Sequence, residues 1–397
     1  MSGVVQFLRC RSYEREYSIL KESHTKTSER FPCLDGLRAL CISVVMAGHL
    51  VGTQGYPITL DWYRLIFPSA HMGVKTFFVI SGFLITYLLI REQRKYGSIL
   101  LKRFFFRRIL RIWPAFFGYV AFVAIFAALG WVVLKQGDLL HASTFTMNYH
   151  WVRGWPLGHI WSLSVVEQFY FLWPAVLALF GVRAGIRGAA AYVLVAPLVR
   201  VGIWYYFPDL RVGVAESFET VADNLAIGCI LAATRDQLWA REGWRKFILS
   251  PWFVVVPLIV YASDHLEGFP SYGYPLGHSI ENIGLALCLE WCLRNYPKRA
   301  FPRFVNHRIL TAVGRMSYSL YLWQQMFLNR SAKSLLCAFP QNLLLAFAVA
   351  SIAYWCLERP CMKIRPYLES RMGMIRTVPV NGIDSVGTRR TIVSRTP

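Results

Sequence analysis

Two titratable side chains, Arg38 and His49, stand eleven residues apart in the first apolar segment, LDGLRALCISVVMAGHL. Eleven residues make about three helical turns, so a helix places both side chains on one face, roughly 16 Å apart along its axis. Titratable groups are costly inside hydrocarbon, and they usually face a bundle interior where they handle ions, protons or substrates. The alternative is that Arg38 extends to the lipid headgroups and that His49 is a satisfied polar residue near the far end of the helix.

The composition indicates a polytopic membrane protein. The 397 residues are 55% hydrophobic and only 16% charged, and the mean hydropathy is +0.38, which is unlike a soluble globular protein. The net charge of +21 raises the possibility of a nucleic-acid partner, but the basic residues are distributed as membrane topology predicts. We therefore expect the lipid bilayer as the partner and no nucleic acid.

Ten apolar stretches are predicted to cross the bilayer, and they begin near residues 34, 71, 113, 160, 189, 215, 250, 276, 310 and 340. Most of the 43 lysines and arginines then fall in the N-terminal segment, in alternate loops and in the C-terminal segment. Positive charge favours the cytoplasmic side of short loops. The predicted fold is therefore an all-α membrane bundle of about ten transmembrane helices with both termini in the cytoplasm.

Three segments are predicted from the same pattern. Residues 1–33 form a cytoplasmic segment that lacks the features of a removable signal, residues 34–362 form the membrane domain, and residues 363–397 form a basic tail whose composition predicts disorder. The nine cysteines include no C-x-x-C pair and lie mostly in apolar stretches. We expect them to be packing residues, and we predict neither a disulfide framework nor a bound metal.

A second group of charges precedes the third predicted span, in LLKRFFFRRILRIWP. Arg107 and Arg111 are four residues apart and Arg108 and Arg111 are three apart, so on a helix two or three guanidinium groups can converge on one anion. A phosphate group suits this arrangement. The alternative is a cytoplasmic anchor made of basic residues and interfacial aromatic residues.

Polar side chains also interrupt two later aromatic stretches, at residues 159–174 and 314–325. Glu167, in the first of them, would be expensive facing lipid, so we expect it in a polar interior, where it pairs with an arginine or orients His49. Polar residues that recur in several helices predict a shared interior cavity. A purely structural network of hydrogen bonds is the alternative.

Five motifs in this order resemble the integral-membrane acyltransferase 3 family, which includes O-acetylases of surface and secreted glycans. The motifs are LDGLRAL through His49, GVKTFFVISGFLI at 73–85, RRILRIWP at 107–114, WSLSVVEQFYFLWP at 161–174 and SYSLYLW at 317–323, with LERP at 357–360 after them. The resemblance covers about residues 31–362. It implies a multi-pass acyltransferase of the bacterial inner membrane.

The resemblance also assigns roles to residues. It implies that Arg38 and His49 are the essential pair of the first helix, and that Arg108 and Arg111 form the cytoplasmic R-x-x-R element. Lys75 matches a position that is often charged in the family.

Two positions depart from the family pattern. The family usually has two consecutive glutamates where this chain has Val166 and Glu167, and it often has a histidine where this chain has Gln324. The role of Glu167 is therefore open, and any histidine-dependent role in the late helix is lost or transferred.

The activity implied by the resemblance is transfer of an acyl group, expected to be acetyl, from cytoplasmic acyl-CoA to a hydroxyl group of an O-antigen, an exopolysaccharide or a similar glycan. Acetyl-CoA is then a co-substrate, and no permanently bound cofactor is expected. The expected catalytic residues are His49 as the base, Arg38 and Glu167, and the expected donor-binding residues are Arg38, Lys75, Arg108 and Arg111. Trp151, Trp155 and Trp161 are expected to offer stacking faces to the carbohydrate acceptor, and the alternative is that they are interfacial anchors.

A secondary transporter or flippase for a glycan or an anionic substrate is the alternative function. Buried arginine, histidine, glutamate and lysine side chains would also line a translocation path. No obvious inverted repeat is present in the sequence, which weakens this alternative.

Overall fold

A computed structural model describes residues 31–373 of the protein. Over this range every regular element is helical and no strand occurs, which confirms the predicted all-α class. Almost all of the predicted N-terminal segment and the last part of the predicted tail, residues 1–30 and 374–397, lie outside the described residues.

The helices that build the bundle are α1 (Leu34–Leu50), α2 (Ala70–Tyr96), α3 (Leu101–Ala128), α4 (Ile160–Tyr206), α5 (Asp223–Ala240), α6 (Val255–Leu266), α7 (His278–Asn295), α8 (Arg308–Arg315), α9 (Ser317–Phe327), α10 (Gln341–Ala353) and α11 (Arg359–Arg371). Short α-helices in the connections are Leu60–Ile66, Asp138–Ser143, Trp155–Gly158, Phe218–Val221, Glu242–Leu249, Pro270–Tyr272 and Ala300–Val305. Single turns of 3₁₀ or π helix occupy Met147–Tyr149, Pro208–Gly213, Pro251–Val254, Gly273–Gly277, Leu335–Cys337 and Tyr354–Glu358.

Four helical stretches of the described chain are long and apolar enough to cross a membrane: Ala70–Tyr96, Leu101–Ala128, Trp155–Tyr206 and Gln341–Arg371. A fifth is present if Glu242–Leu249 and Pro251–Leu266, bent by 65°, count as one span. A helix lies at or just after each of the ten predicted starts, two of them within α4, which bends at Gly181 (φ 79°, ψ 161°). The count of ten spans and the side on which the termini lie stay predictions.

The last helix extends further than the sequence indicates. Helix α11 continues to Arg371, past the predicted end of the membrane domain at residue 362, so the first part of the predicted disordered tail is helical. Near its end, Glu369 accepts hydrogen bonds of 2.7 Å from Nε and 2.6 Å from an NH2 group of Arg107 on α3. Two hydrogen bonds therefore join the end of α11 to α3, and the composition of residues 363–371 does not reveal this contact.

Helices α2 and α5 pack with their backbones in direct contact. A Cβ atom added to Gly82 on α2 would overlap the carbonyl oxygen of Leu225, and a Cβ atom added to Gly228 on α5 would overlap the carbonyl oxygen of Val79. Small residues at such contacts let membrane helices approach closely enough for extensive van der Waals packing. The SGF sequence of α2 therefore fixes the separation of two central helices.

Helix α2 also packs closely on α1. A Cβ atom on Gly73 would lie 2.8 Å from the carbonyl oxygen of Cys41 and from a methyl group of Val45. Both neighbours belong to the helix that carries Arg38 and His49. Small residues of α2 thus position α1 from one side and α5 from the other.

Replacing Gly82 by alanine is expected to lower the free energy of unfolding by about 1–3 kcal/mol, because the added methyl group must push two backbones apart. Gly188→Ala is the matched control, since the same methyl group there meets no atom within 4 Å and the change favours helix. Thermal unfolding of the purified protein in one detergent measures both. Equal melting temperatures for the two variants would contradict the assigned packing.

Candidate active site

Arg38 and His49 both belong to α1, but they do not line one common cavity. Arg38 lines a cavity of about 130 Å³, which we call the Arg38 cavity, and His49 lines a cavity of about 470 Å³, which we call the His49 cavity. Val74 and Tyr321 line both. The two cavities are therefore neighbours along α1, with these side chains in the wall between them.

The His49 cavity is rich in aromatic side chains. The imidazole of His49 lies edge-on to Trp155, with the ring centroids 5.7 Å apart. His71 stacks on Trp161 at 6.0 Å. All three tryptophans predicted to face the acceptor are present, and the lining residues are Val45, His49, Ala70, His71, Val74, Trp151, Arg153, Gly154, Trp155, Gly158, His159, Trp161, Tyr321 and Gln325.

Several buried polar atoms at this cavity have no hydrogen-bond partner within the described part of the chain. On lining residues they are Nδ1 of His49, both ring nitrogens of His159 and Oε1 of Gln325. Both amide atoms of Gln324, whose side chain lies beside His49, are further examples. Buried polar groups are nearly always paired. A concentration of unpaired donors and acceptors in an aromatic cavity is typical of a site that binds a polar ligand.

Two histidines of the His49 cavity were not predicted as site residues. They are His71 and His159, and both line the cavity. His159 is 4% exposed and packs between the rings of Tyr119 and Tyr321, at centroid distances of 5.7 and 5.2 Å. Its position two residues before the WSLS motif was the available signal.

Four of the predicted site residues meet in the Arg38 cavity: Arg38, Arg108, Arg111 and Glu167. Arg38 forms an ion pair with Asp35 at 3.6 Å, and the guanidinium of Arg108 lies over the ring of Tyr170, 4.2 Å from its centroid. Within the described chain neither Arg108 nor Arg111 forms a hydrogen bond or an ion pair. Their donor groups are thus available to an anion.

Glu167 lies with the arginines and does not line the His49 cavity. It is buried, and its carboxylate interacts with Arg108 and with the indole of Trp113. Of the two positions considered for Glu167, the structure shows the one beside the arginines, without a direct ion pair, and not the one beside His49.

A further carboxylate, Glu358, lines the Arg38 cavity and was not predicted as a site residue. It is 2% exposed, it accepts a hydrogen bond of 2.9 Å from the hydroxyl of Ser319, and it interacts electrostatically with Arg111 and Arg38. The LERP motif that contains Glu358 was the signal that could have identified it. The cavity therefore joins four arginines, Arg38, Arg108, Arg111 and Arg315, to carboxylates from α4 and from the turn before α11.

The wall between the cavities is held by hydrogen bonds. The hydroxyl of Tyr321 donates to the carbonyl oxygen of His159 at 2.8 Å and accepts from the hydroxyl of Ser162 at 2.5 Å. Tyr321 belongs to α9, while His159 and Ser162 lie at the start of α4. This contact fixes the boundary between the Arg38 cavity and the His49 cavity.

Lys75 is the one predicted site residue that lies in neither cavity. Its ammonium group forms ion pairs with Glu281 at 2.5 Å and with Glu267 at 2.7 Å, and Nε2 of His278 lies 3.0 Å from Glu267. The carboxylates of Asp264, Glu267 and Glu281 converge here within 4.8 Å of one another, and Lys75 neutralises part of their charge. Donor binding by Lys75 stays a prediction.

Comparison with known proteins identifies relatives of the whole membrane region. The profile of a family described as an acyltransferase domain matches residues 31–358, which confirms the family resemblance of the motifs. No solved structure shows a significant match.

Three similar proteins illustrate the relationship. The O-acetyltransferase OatA of Staphylococcus aureus is 26% identical over 362 residues, which are 84% of this chain and 57% of that protein. The putative peptidoglycan O-acetyltransferase YrhL of Bacillus subtilis is 28% identical over 337 residues, covering 75% of this chain and 49% of that protein. The peptidoglycan O-acetyltransferase OatA of Listeria monocytogenes is 26% identical over 378 residues, covering 85% of this chain and 57% of that protein. The chain thus spans about half the length of these relatives.

Replacing Lys75 by methionine is expected to destabilise the fold by about 3–5 kcal/mol, because it leaves two buried carboxylates without their cation. Lys246→Met is the matched control: Lys246 pairs with Glu242 on the surface, where an exposed pair contributes about 1 kcal/mol or less. Thermal unfolding measures both, and Lys75→Met combined with Glu281→Gln should recover part of the loss. A Lys75→Met protein that unfolds like wild type but binds acetyl-CoA less tightly would instead establish Lys75 as a donor-binding residue.

Proposed function

Because the chain belongs to the acyltransferase domain family, we propose that it is a multi-pass O-acetyltransferase of the bacterial inner membrane. It transfers an acetyl group from cytoplasmic acetyl-CoA to a hydroxyl group of an envelope glycan. One observation carries this proposal: an arginine cavity and a histidine cavity lie side by side along α1 and share the wall residues Val74 and Tyr321. The family match favours this function over the transporter.

The Arg38 cavity is the proposed donor site. Arg108 and Arg111 present guanidinium groups that have no ion-pair partner in the described chain, and such groups bind phosphate through charge-assisted, often bidentate hydrogen bonds. The diphosphate of acetyl-CoA binds there, and the thioester end points toward the wall at Tyr321. Arg38, Glu167 and Glu358 complete the polar lining.

The His49 cavity is the proposed acceptor site. Its tryptophans offer flat faces to a sugar ring, and its unpaired polar atoms offer hydrogen bonds to sugar hydroxyl groups. Two of the relatives are named for peptidoglycan. For this reason we propose a peptidoglycan-type glycan as the acceptor, in preference to an O-antigen or an exopolysaccharide.

The proposed reaction uses His49 as a general base. Its imidazole removes the proton from the acceptor hydroxyl as the oxygen attacks the thioester carbonyl carbon, and the carbon–sulfur bond then breaks. The imidazolium returns the proton to the departing thiolate, which leaves as free CoA. The amide group of Gln324, whose side chain lies beside His49, is a donor for the oxyanion that forms on the carbonyl oxygen.

His49→Ala is expected to reduce acetyl transfer at least about 100-fold, because it removes the general base, while acetyl-CoA binding stays close to wild type. The assay follows radiolabelled acetyl groups from acetyl-CoA to glycan acceptors with purified protein in nanodiscs. His265→Ala is the control, since this imidazole bonds to the carbonyl oxygen of Tyr261 outside both cavities.

Full acetylation by a stable His49→Ala protein would contradict the mechanism. Glycan counterflow without consumption of acetyl-CoA would instead establish the transporter. Initial-rate patterns separate direct transfer, which requires a ternary complex, from an acyl-histidine intermediate, which gives ping-pong kinetics.

Arg108→Gln is expected to raise the KM for acetyl-CoA about tenfold with a smaller change in kcat, because one charge-assisted phosphate contact is lost. Arg183→Gln, an exposed arginine in α4, is the matched control and should leave KM unchanged. A KM that is equally insensitive to both substitutions would exclude Arg108 from the donor site.

A further inference from the structure

A second arginine cluster surrounds Glu369 near the end of α11. Arg107 bonds to both carboxylate oxygens of Glu369, at 2.7 and 2.6 Å. Nε of Arg103 lies 3.4 Å from one of these oxygens, and Nε of Arg365 lies 3.4 Å from the other. Three guanidinium groups thus share one carboxylate, and we call Arg103, Arg107, Arg365 and Glu369 the Glu369 cluster.

This cluster carries more positive charge than its own residues neutralise. Among residues 31–373 the other carboxylate that pairs with the cluster is that of Glu92, 3.9 Å from Arg103, so three cations of this part of the chain face two anions. The side chains of Arg107 and Arg365 are each 37% exposed. The contact of 3.4 Å between Nε of Arg365 and Glu369 is an ion pair without hydrogen-bond geometry, and this Nε forms no hydrogen bond in the described chain. The cluster can therefore accept a further anion from outside.

The cluster continues the proposed donor site. Helix α3 carries arginines at every fourth position, Arg103, Arg107 and Arg111, so the three lie on one face. Neighbouring members are about 6 Å apart along the helix axis. Arg111 lines the Arg38 cavity, and Arg365 is within electrostatic range of all three. A row of guanidinium groups thus leads from the cavity to the Glu369 cluster.

We propose that the Glu369 cluster binds the 3′-phosphate monoester of the acyl-CoA donor. This inference rests on the proposed function, which places the diphosphate of the donor at Arg108 and Arg111. The 3′-phosphate and the diphosphate are attached to the same ribose, so a ligand held at Arg111 presents its second anionic group only a few bonds away. Glu369 holds the guanidinium groups in place and shifts toward Arg107 alone when the phosphate enters.

The phosphate of an anionic lipid headgroup has related chemistry, and the experiment distinguishes the two sources. It compares equilibrium binding of CoA and of 3′-dephospho-CoA to the full-length protein in phosphatidylcholine nanodiscs. Wild-type protein is expected to bind CoA about tenfold more tightly, which is the effect of one charge-assisted contact. Arg365→Gln and Arg103→Gln should each remove most of this preference and leave the affinity for 3′-dephospho-CoA within about twofold of wild type.

Two further variants complete the design. Glu369→Gln removes the competing carboxylate and should raise the affinity for CoA without raising that for 3′-dephospho-CoA. Lys246→Gln, an exposed lysine paired only with Glu242, should change neither affinity.

Equal affinity of wild-type protein for the two ligands would overturn the inference, as would an equal loss of both affinities in Arg365→Gln. Equal affinities combined with a stabilisation by phosphatidylglycerol that requires Arg365 would assign the cluster to a lipid headgroup instead. If neither CoA nor 3′-dephospho-CoA binds, the donor site itself is refuted, which is a different result from a missing preference.

Discussion

A polar side chain inside a membrane bundle must find its partners within the protein, and this constraint organises the structure. Hydrocarbon offers neither hydrogen bonds nor counter-ions, so an unpaired ion there costs several kcal/mol. Most buried charges of the described chain are accordingly bound to one another across helices. The networks are Lys75 with Glu267 and Glu281, Arg200 with Asp223, and Glu290 with Arg235 and Arg294.

Against this background the two cavities stand out. Around the His49 cavity, imidazole and amide atoms are buried without a hydrogen-bond partner in the described chain. In the Arg38 cavity, the guanidinium groups of Arg108 and Arg111 have nearby carboxylates but no direct bond within the described residues. The presence or absence of a direct ion pair thus separates charged side chains that hold helices together from charged side chains that are arranged to meet a ligand. Lys75 falls in the first group on this criterion, although its sequence position resembles the second.

The parts of the site that lie on one helix could be predicted from the sequence, because helical spacing alone determines which side chains share a face. Arg38 and His49 on α1, and Arg108 and Arg111 on α3, are of this kind. Contacts between distant segments could not be predicted in this way. Glu281 is 206 residues from Lys75, and Glu358 is 39 residues from its partner Ser319, so no local pattern shows that these side chains meet. His159 was missed for the same reason, since its burial depends on rings contributed by α3 and α9.

The arrangement of the two cavities on one rigid helix bears on how a charged donor could serve an acceptor on the other side. Under the proposed function the phosphates remain with the arginines, and only the uncharged end of the donor approaches the wall at Val74 and Tyr321. The axial distance from Arg38 to His49, roughly 16 Å, is then covered by the flexible arm between the phosphates and the thioester. No phosphate group has to enter the aromatic cavity. The cost of burying charge, which fixes the structural ion pairs, therefore also explains why Arg108 and Arg111 occupy a different cavity from His49.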